Sequence, residues 1–250
     1  MNSNIFILLG FFRFIPISED NIENTSLSLF PIEQTIFFGD SLTEGSNSPR
    51  SFVDILGRTG FVDVLGRVSH ECINRGISGT TIGEYSIYPV DGYSLSQLYP
   101  KDKSLSDVDS IVLEYGINDV SSIMCGFTTL EIAIVSCVKA LDGISQINNR
   151  AKKVFLSISD NPEVVNEMAR RQCDYLANVY FAGYDFSFPY TKWADNYNTL
   201  IREIAKRIKV VPMIDDMRFF DYNAGCISDD NIHPNYKGHT EIAFNIKQYI

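Results

Sequence analysis

A chain of 250 residues with 45% hydrophobic and 21% charged side chains has the composition of an ordinary globular domain and can bury a full core, which excludes a disordered or fibrous protein. Its net charge of −10 and lack of a basic stripe exclude nucleic acid as a partner. The five cysteines (Cys72, Cys125, Cys137, Cys173, Cys226) are scattered and odd in number, so they suggest neither a zinc site nor a disulfide framework, and they point to a reducing compartment.

Residues Ile5 to Ile17 are mostly apolar but too short to span a bilayer, and Arg13 interrupts them. Nothing basic precedes them and no small-residue cleavage site follows. The stretch therefore reads as an extra strand or packing segment, with no stable membrane insertion and a cytoplasmic location; secretion is the alternative if it acts as a targeting peptide. A polar run from Ser18 to Ser28 follows, which divides the chain into an extension over residues 1–30 and one domain over 31–250.

The first strand is Thr35-Ile36-Phe37-Phe38, and it ends abruptly in Gly39-Asp40-Ser41. The crevice at the carboxyl ends of strands in an open α/β sheet is where ligands bind, and Ser41 is placed there as a candidate nucleophile. Asp and Ser also form ordinary turns, and the tripeptide alone reads first as a turn. Beyond Pro49, Phe52-Val53-Asp54-Ile55-Leu56-Gly57-Arg58 is nearly repeated as Phe61-Val62-Asp63-Val64-Leu65-Gly66-Arg67. A shift of nine residues places the copies on opposite faces of a helix, so a break near Gly57 to Gly60 and two short helices are expected.

Cys72 to Ile77 reads as a second strand running into Ser78-Gly79, and Tyr85 to Tyr99 reads as loop. Ser110 to Tyr115 is a third strand, followed by Gly116-Ile117-Asn118-Asp119. Ile134, Cys137, Val138, Leu141 and Ile144 repeat at helical spacing within Leu130 to Ile147. Val154 to Ile158 is a fourth strand, and Pro162 starts a helix that covers Val164 to Val179. The apolar spacing of Trp193, Tyr197, Leu200, Ile201, Ile204 and Ile208 marks another helix. Val210 to Ile214 is a fifth strand, placed at an edge by Pro212, and a last helix starts at Asn235. Strands alternating with helices predict an α/β fold whose parallel sheet is covered on both faces. The aromatic run Tyr180, Phe181, Tyr184, Phe186, Phe188 and Tyr190 reads as core or loop packing ahead of an acyl or sugar pocket.

Four short blocks now stand in order: Gly39-Asp40-Ser41-Leu42, Asn74-Arg75-Gly76-Ile77-Ser78-Gly79, Gly116-Ile117-Asn118-Asp119 and Asp230-x-x-His233-Pro234. Together they resemble the signature of the GDSL, or SGNH, hydrolase family over roughly Gln34 to Ile250. No GxSxG elbow occurs, so the ordinary α/β-hydrolase arrangement is unsupported. The resemblance implies a flavodoxin-like three-layer α/β/α sandwich with a mainly five-stranded parallel sheet. It implies a serine esterase that needs no cofactor or metal and acts on a small-molecule, carbohydrate or lipid ester. Short acyl groups, acetyl above all, come first as substrates, and lysophospholipase or thioesterase activity is the alternative.

In that resemblance Ser41 is the nucleophile, His233 its base and Asp230 the residue that orients the imidazole. The oxyanion hole is formed by the backbone N–H of Ser41 and of Gly76 and by the Asn118 side-chain amide. His70, ahead of a strand, and His239, in the first turn of the last helix, read as ordinary surface residues. His233 stands apart because Asp230 and Pro234 frame it. Two competing readings are a metal-dependent phosphoesterase using Asp40, Asp119, Asp229 and His233, and a non-catalytic binding module.

Overall fold

Three apolar runs, Ile36–Phe38, Ile111–Leu113 and Val154–Leu156, are at most 1% exposed, which is the pattern of parallel strands covered on both faces. The computed structural model describes residues 32–58, 69–83, 94–157, 159, 161–182, 188–207, 213–215 and 225–246. Strand β1 (Ile32–Gly39) pairs in parallel with β2 (Ser69–Gly76) on one side and β3 (Ser110–Glu114) on the other. Strands β4 (Lys152–Ser157) and β5 (Met213–Asp215) extend the sheet, giving five strands in the order β2-β1-β3-β4-β5. The chain thus leaves β1 for one edge and returns to its other side, which opens a crevice at the carboxyl end of β1. β5 lies at the sheet edge, as expected; Pro212 itself is outside the described residues.

Helices α1 (Ser41–Glu44) and α2 (Phe52–Arg58) follow β1, and α3 (Leu95–Leu98) precedes β3. Helices α4 (Ile117–Met124) and α5 (Leu130–Ile147) connect β3 to β4. Helices α6 (Pro162–Tyr175) and α7 (Tyr190–Arg207) precede β5, and α8 (Tyr236–Ile246) comes last. Thr129 Oγ1 caps α5 by accepting from the Ile132 N–H, and Asn161 caps α6 ahead of Pro162. The buried stripe of α5 (Ala133, Ile134, Cys137, Ala140, Leu141, Ile144) packs with that of α7, where Trp193 and Tyr197 stack at 5.5 Å. Helix α2 packs with α8, and its Phe52 meets Phe37 of β1 edge-on at 5.9 Å. The sheet therefore has helices on both faces, the α/β sandwich expected from the alternation of elements.

Some boundaries differ from the sequence reading. Leu95–Leu98 and the 3₁₀ turn Tyr99–Lys101 are helical where loop was expected, because the fully buried Leu95 anchors a turn too short to display a period. β2 begins at Ser69, so His70 lies inside the strand, opposite Glu33, and not ahead of it. β4 starts at Lys152, which stands level with Ser110 of β3 and donates its N–H to the Asp109 carbonyl, and Lys153 Nζ donates to the Asn148 and Ala151 carbonyls, which satisfies a charge the apolar pattern could not predict. The helix expected to reach Val179 is α-helical to Tyr175 and continues as a π turn, Leu176–Tyr180. The first copy of the near-repeat is α2; its second copy and the expected break, and likewise residues 1–31, lie outside the described residues.

Phe37 joins the sheet to the α2–α8 layer and leaves no exposed surface. Phe37→Ala is expected to cost about 3–5 kcal/mol, read as a lower urea midpoint with an unchanged m-value.

Candidate active site

The site begins with a register. Gly39 of β1 stands level with Gly76 of β2 and Glu114 of β3, so the turns after all three strands open at one height. Asp40 leaves β1 and caps α1, its Oδ1 accepting the Leu42 N–H at 3.0 Å. Ser41 is thereby the first residue of α1, and its backbone N–H meets no acceptor among the described residues. Thr43 Oγ1 donates to Glu114 Oε2 at 2.5 Å, pinning α1 to β3. Only glycine fits at 39, where a Cβ would fall 1.9 Å from Thr43 Oγ1.

The second half of the site is the loop from Gly225 to Asn235. Ile227 bridges Pro234, and the Ser228 N–H donates to the His233 carbonyl at 2.8 Å, so the ends of the loop are tied. Asn235 completes the closure: its amide donates to the Gly225 and Ile227 carbonyls while its oxygen accepts the Lys237 and Gly238 N–H groups at the start of α8. Asn231, at φ 64, is gripped through its carbonyl and its side chain by Arg171 of α6, which also pairs with Glu167 at 2.8 Å. Arg171 is 8% exposed, so this clamp works from inside the protein.

Held in this way, His233 Nε2 lies 2.9 Å from Ser41 Oγ, and His233 Nδ1 bonds Asp230 Oδ2. Asp230 Oδ1 accepts from Ser228 Oγ at 2.6 Å and from the Ile232 and His233 N–H groups at 3.0 Å. Partial burial pushes the Asp230 carboxyl up, but the bonds from His233, Ser228 and the two backbone amides outweigh it and hold the group well below the ordinary carboxylate range. The carboxylate stays ionised and can fix the imidazole with Nδ1 protonated, leaving Nε2 to accept the serine proton.

The structure corrects Gly76 as an oxyanion donor. Its N–H donates to Asn74 Oδ1 at 2.8 Å, and its open face is closed by α1, where a Cβ would sit 2.2 Å from Glu44 N. Gly76 instead lets β2 approach the helix that carries Ser41. Asn118, in the first turn of α4, is buried beside Asp40, and its amide donates to the Thr80 carbonyl at 2.9 Å and to Asp40 Oδ2 at 3.3 Å. Asp119 is turned away, accepting the Ile82 N–H at 3.0 Å. Burial pushes both Asp40 and Asp119 up to about 7.

His239 is corrected too: it is fully buried, stacks on Phe52 with ring centres 6.2 Å apart, and accepts the Phe52 N–H at 3.3 Å. Burial pushes its imidazole down to about 4. Among the described residues no three His, Cys, Asp or Glu side chains gather closely enough to hold a metal ion, so Asp40, Asp119, Asp229 and His233 do not form a centre. Part of the aromatic run is described: Phe181 and Phe188 lie 5.5 Å apart and Phe188 packs on the core, while Tyr190 is exposed. Residues that sequence reasoning missed are Asn47, whose Nδ2 donates to Asp230 Oδ2 at 2.6 Å, together with Ser228 and Arg171. The signal available for Asn47 was a polar loop six positions after the candidate serine.

The model of the GDSL-like lipase/acylhydrolase family matches residues 37–240, a span that contains both halves of this site. The chain belongs to that family. Among solved structures, this GDSL-like chain is similar to a family 3 carbohydrate esterase from Clostridium thermocellum, with TM-score 0.58, 18% identity, and coverage of 88% of this chain and 95% of that one. It is similar to a lipase from a goat rumen metagenome (TM-score 0.54, 18% identity, 86% and 96% covered). It is also similar to an acetylxylan esterase from Geobacillus stearothermophilus (TM-score 0.54, 16% identity, 86% and 93% covered). At these identities the likeness is one of fold. No match was found among curated protein sequences. None of the described helices is long and apolar enough to cross a membrane.

Raised buried carboxyls give the GDSL-like domain a signed pH dependence. Between the ordinary value of 3.8 and about 7 the folded state holds protons on Asp40 and Asp119 that the unfolded chain has released. Stability contributed by these protonated groups is therefore lost as pH rises through that window. The lowered Asp230 acts below it, where stability is lost as pH falls. His239, lowered from 6.5 to about 4, acts with the opposite sign over part of this window, but two raised carboxyls outweigh one lowered imidazole. Thermal melts are therefore expected to show Tm falling from about pH 4 to about pH 7, with a shallower fall in Asp119→Asn.

Proposed function

We propose that this GDSL-like protein is a serine esterase that hydrolyses a carboxylic ester through an acyl-Ser41 intermediate. One observation carries the reading: Ser41 Oγ lies 2.9 Å from His233 Nε2 while Asp230 holds the opposite nitrogen of the same ring. The chemistry follows from those atoms. His233 Nε2 takes the hydroxyl proton as Ser41 Oγ attacks the ester carbonyl carbon. Asp230 stabilises the imidazolium that results.

The developing oxyanion is met by the Ser41 N–H, at the start of α1, and by the Asn118 amide. The 3.3 Å bond from Asn118 to Asp40 is the longer of its two and is the one that yields, while the 2.9 Å bond to Thr80 keeps the amide in place. Collapse of the tetrahedral intermediate breaks the bond to the alcohol oxygen, which leaves with the proton from His233. Water, deprotonated by His233, then frees the acid and restores Ser41.

Short acyl groups, acetyl first and carried on a carbohydrate, are the substrate class we infer. Support comes from similar structures that are a carbohydrate esterase and an acetylxylan esterase. The test is hydrolysis of p-nitrophenyl acetate, butyrate and octanoate, with and without EDTA. Wild type is expected to turn over acetate fastest and to ignore EDTA. Ser41→Ala is expected to lose about 10⁴-fold or more in kcat. Preference for octanoate would move the assignment to a lipid or thioester acyl chain. Activity that survives in Ser41→Ala, or disappears with EDTA, would overturn the serine mechanism.

A further inference from the structure

The segment bearing Ser41 and the loop bearing Asp230 and His233 are far apart in sequence and must be aligned to within tenths of an ångström. Among the described residues, the hydrogen bonds joining residues 41–51 to residues 228–234 are Ser41–His233 itself and the one from Asn47 to Asp230. Asn47 Nδ2 donates to Asp230 Oδ2 at 2.6 Å and stands 3.4 Å from His233 Nδ1. A carboxylate only accepts, so the amide nitrogen is the end that must face it. Asp230 Oδ1 is filled from within its own loop; Oδ2 is shared between His233 and Asn47.

The backbone points the same way. Among the described residues, the non-glycine positions with positive φ are Asn47 (φ 60) and Asn231 (φ 64). One sits opposite Asp230 and the other directly follows it. Asparagine is among the few residues with a side chain that take up left-handed backbone, and such positions cluster at functional sites. A pocket of about 350 Å³ lined by Asn47, Ile227, Ser228, Asp229, Asp230 and Asn235 brings solvent to the outer side of the pair, so Asn47 also stands where water would otherwise compete for Asp230.

Building on the serine-esterase reading, we propose that Asn47 is a positioning residue of the Ser41–His233–Asp230 relay, locking the Asp230 carboxylate from the nucleophile's own segment and sharing its charge with His233. Loss of its N–H leaves more negative charge on Oδ2, which favours the imidazolium and makes the free base scarcer at a given pH. Charged or titratable groups on the elements that meet at the pair are Asp40, Glu44 and Arg50 in the Ser41 segment, Asp54 of α2, Asp229 in the loop, Lys237, His239 and Glu241 of α8, and Arg171, which reaches the loop through Asn231. None of these changes in the variants below.

Asn47→Gly keeps the left-handed backbone and removes only the amide, Asn47→Ala removes both, and Asn47→Asp keeps the shape but replaces the donor with an acceptor. With p-nitrophenyl acetate, Asn47→Gly is expected to lower kcat about 10- to 100-fold with KM within about twofold, and to move the acidic limb of kcat/KM to higher pH. Asn47→Asp is expected to move the limb the same way with at least as large a loss. An unshifted limb with near-normal kcat in Asn47→Gly would overturn the proposal. So would a defect confined to Asn47→Ala, which would assign the effect to backbone strain. If Asn47→Gly does not fold, Asn47→Asp alone decides, since a wild-type profile there would overturn it. Activity persisting in Ser41→Ala would refute the esterase reading instead, a result distinct from any of these.

Discussion

Everything at the site depends on the parallel register of β1 with its two neighbours. Because Gly39 is level with Gly76 and Glu114, the turns that carry Ser41, the Ile77–Thr80 segment and Asn118 emerge together on one edge of the sheet. Slipping a strand by one residue would turn every buried side chain to the opposite face, so the apolar core that fixes the register also fixes the site. The close approaches at Gly39 and Gly76 follow from the same constraint. Both glycines admit α1, one through Thr43 and the other through the backbone at Glu44. The position of Ser41 is thus set by packing beneath it, before any polar contact of its side chain is considered.

The half of the site that carries Asp230 and His233 is built differently, from polar bonds in a loop. Asp230 gathers donors on both oxygens, Asn235 closes the loop at its base, and Arg171 holds it from α6. Hydrogen bonds to a carboxylate stabilise its ionised form, so the same contacts that order the loop also keep Asp230 charged against partial desolvation. Behind Ser41 the balance is reversed. Asp40 and Asp119 are buried deeply enough that desolvation prevails over their backbone donors, and their carboxyls rise. Acids of opposite tendency on the two sides of one serine give the site a charge concentrated on the His233 side.

Much of this was legible in the sequence. Strands β1, β3 and β4 are legible because their continuous apolar runs fit parallel strands covered on both faces, and the four short blocks stand out because each ends a strand or precedes the last helix. The long helices α5 and α7 were read from their stripes, as Ala133 to Ile144 and Trp193 to Ile204 confirm. What failed was partner assignment. Gly76 has the right residue type, yet its amide is taken by Asn74, two positions earlier. His239 reads as surface from its residue type, although it shares its face with Ile242, Ala243 and Ile246 at helical spacing, so a strict periodic reading buries it. Asn47 was invisible because its partner lies 183 positions away and an asparagine in a polar turn is commonplace.

The central claim is that Ser41 becomes covalently acylated during turnover, and the most direct measurement is to look for the bond. Protein incubated with a fluorophosphonate, digested and read by tandem mass spectrometry, should carry the adduct on Ser41 Oγ. Prior incubation with an ester substrate should slow the labelling, and Ser41→Ala should take up none. Steady ester turnover by a chain whose Ser41 stays unmodified, or an adduct on another residue that abolishes activity, would contradict the account.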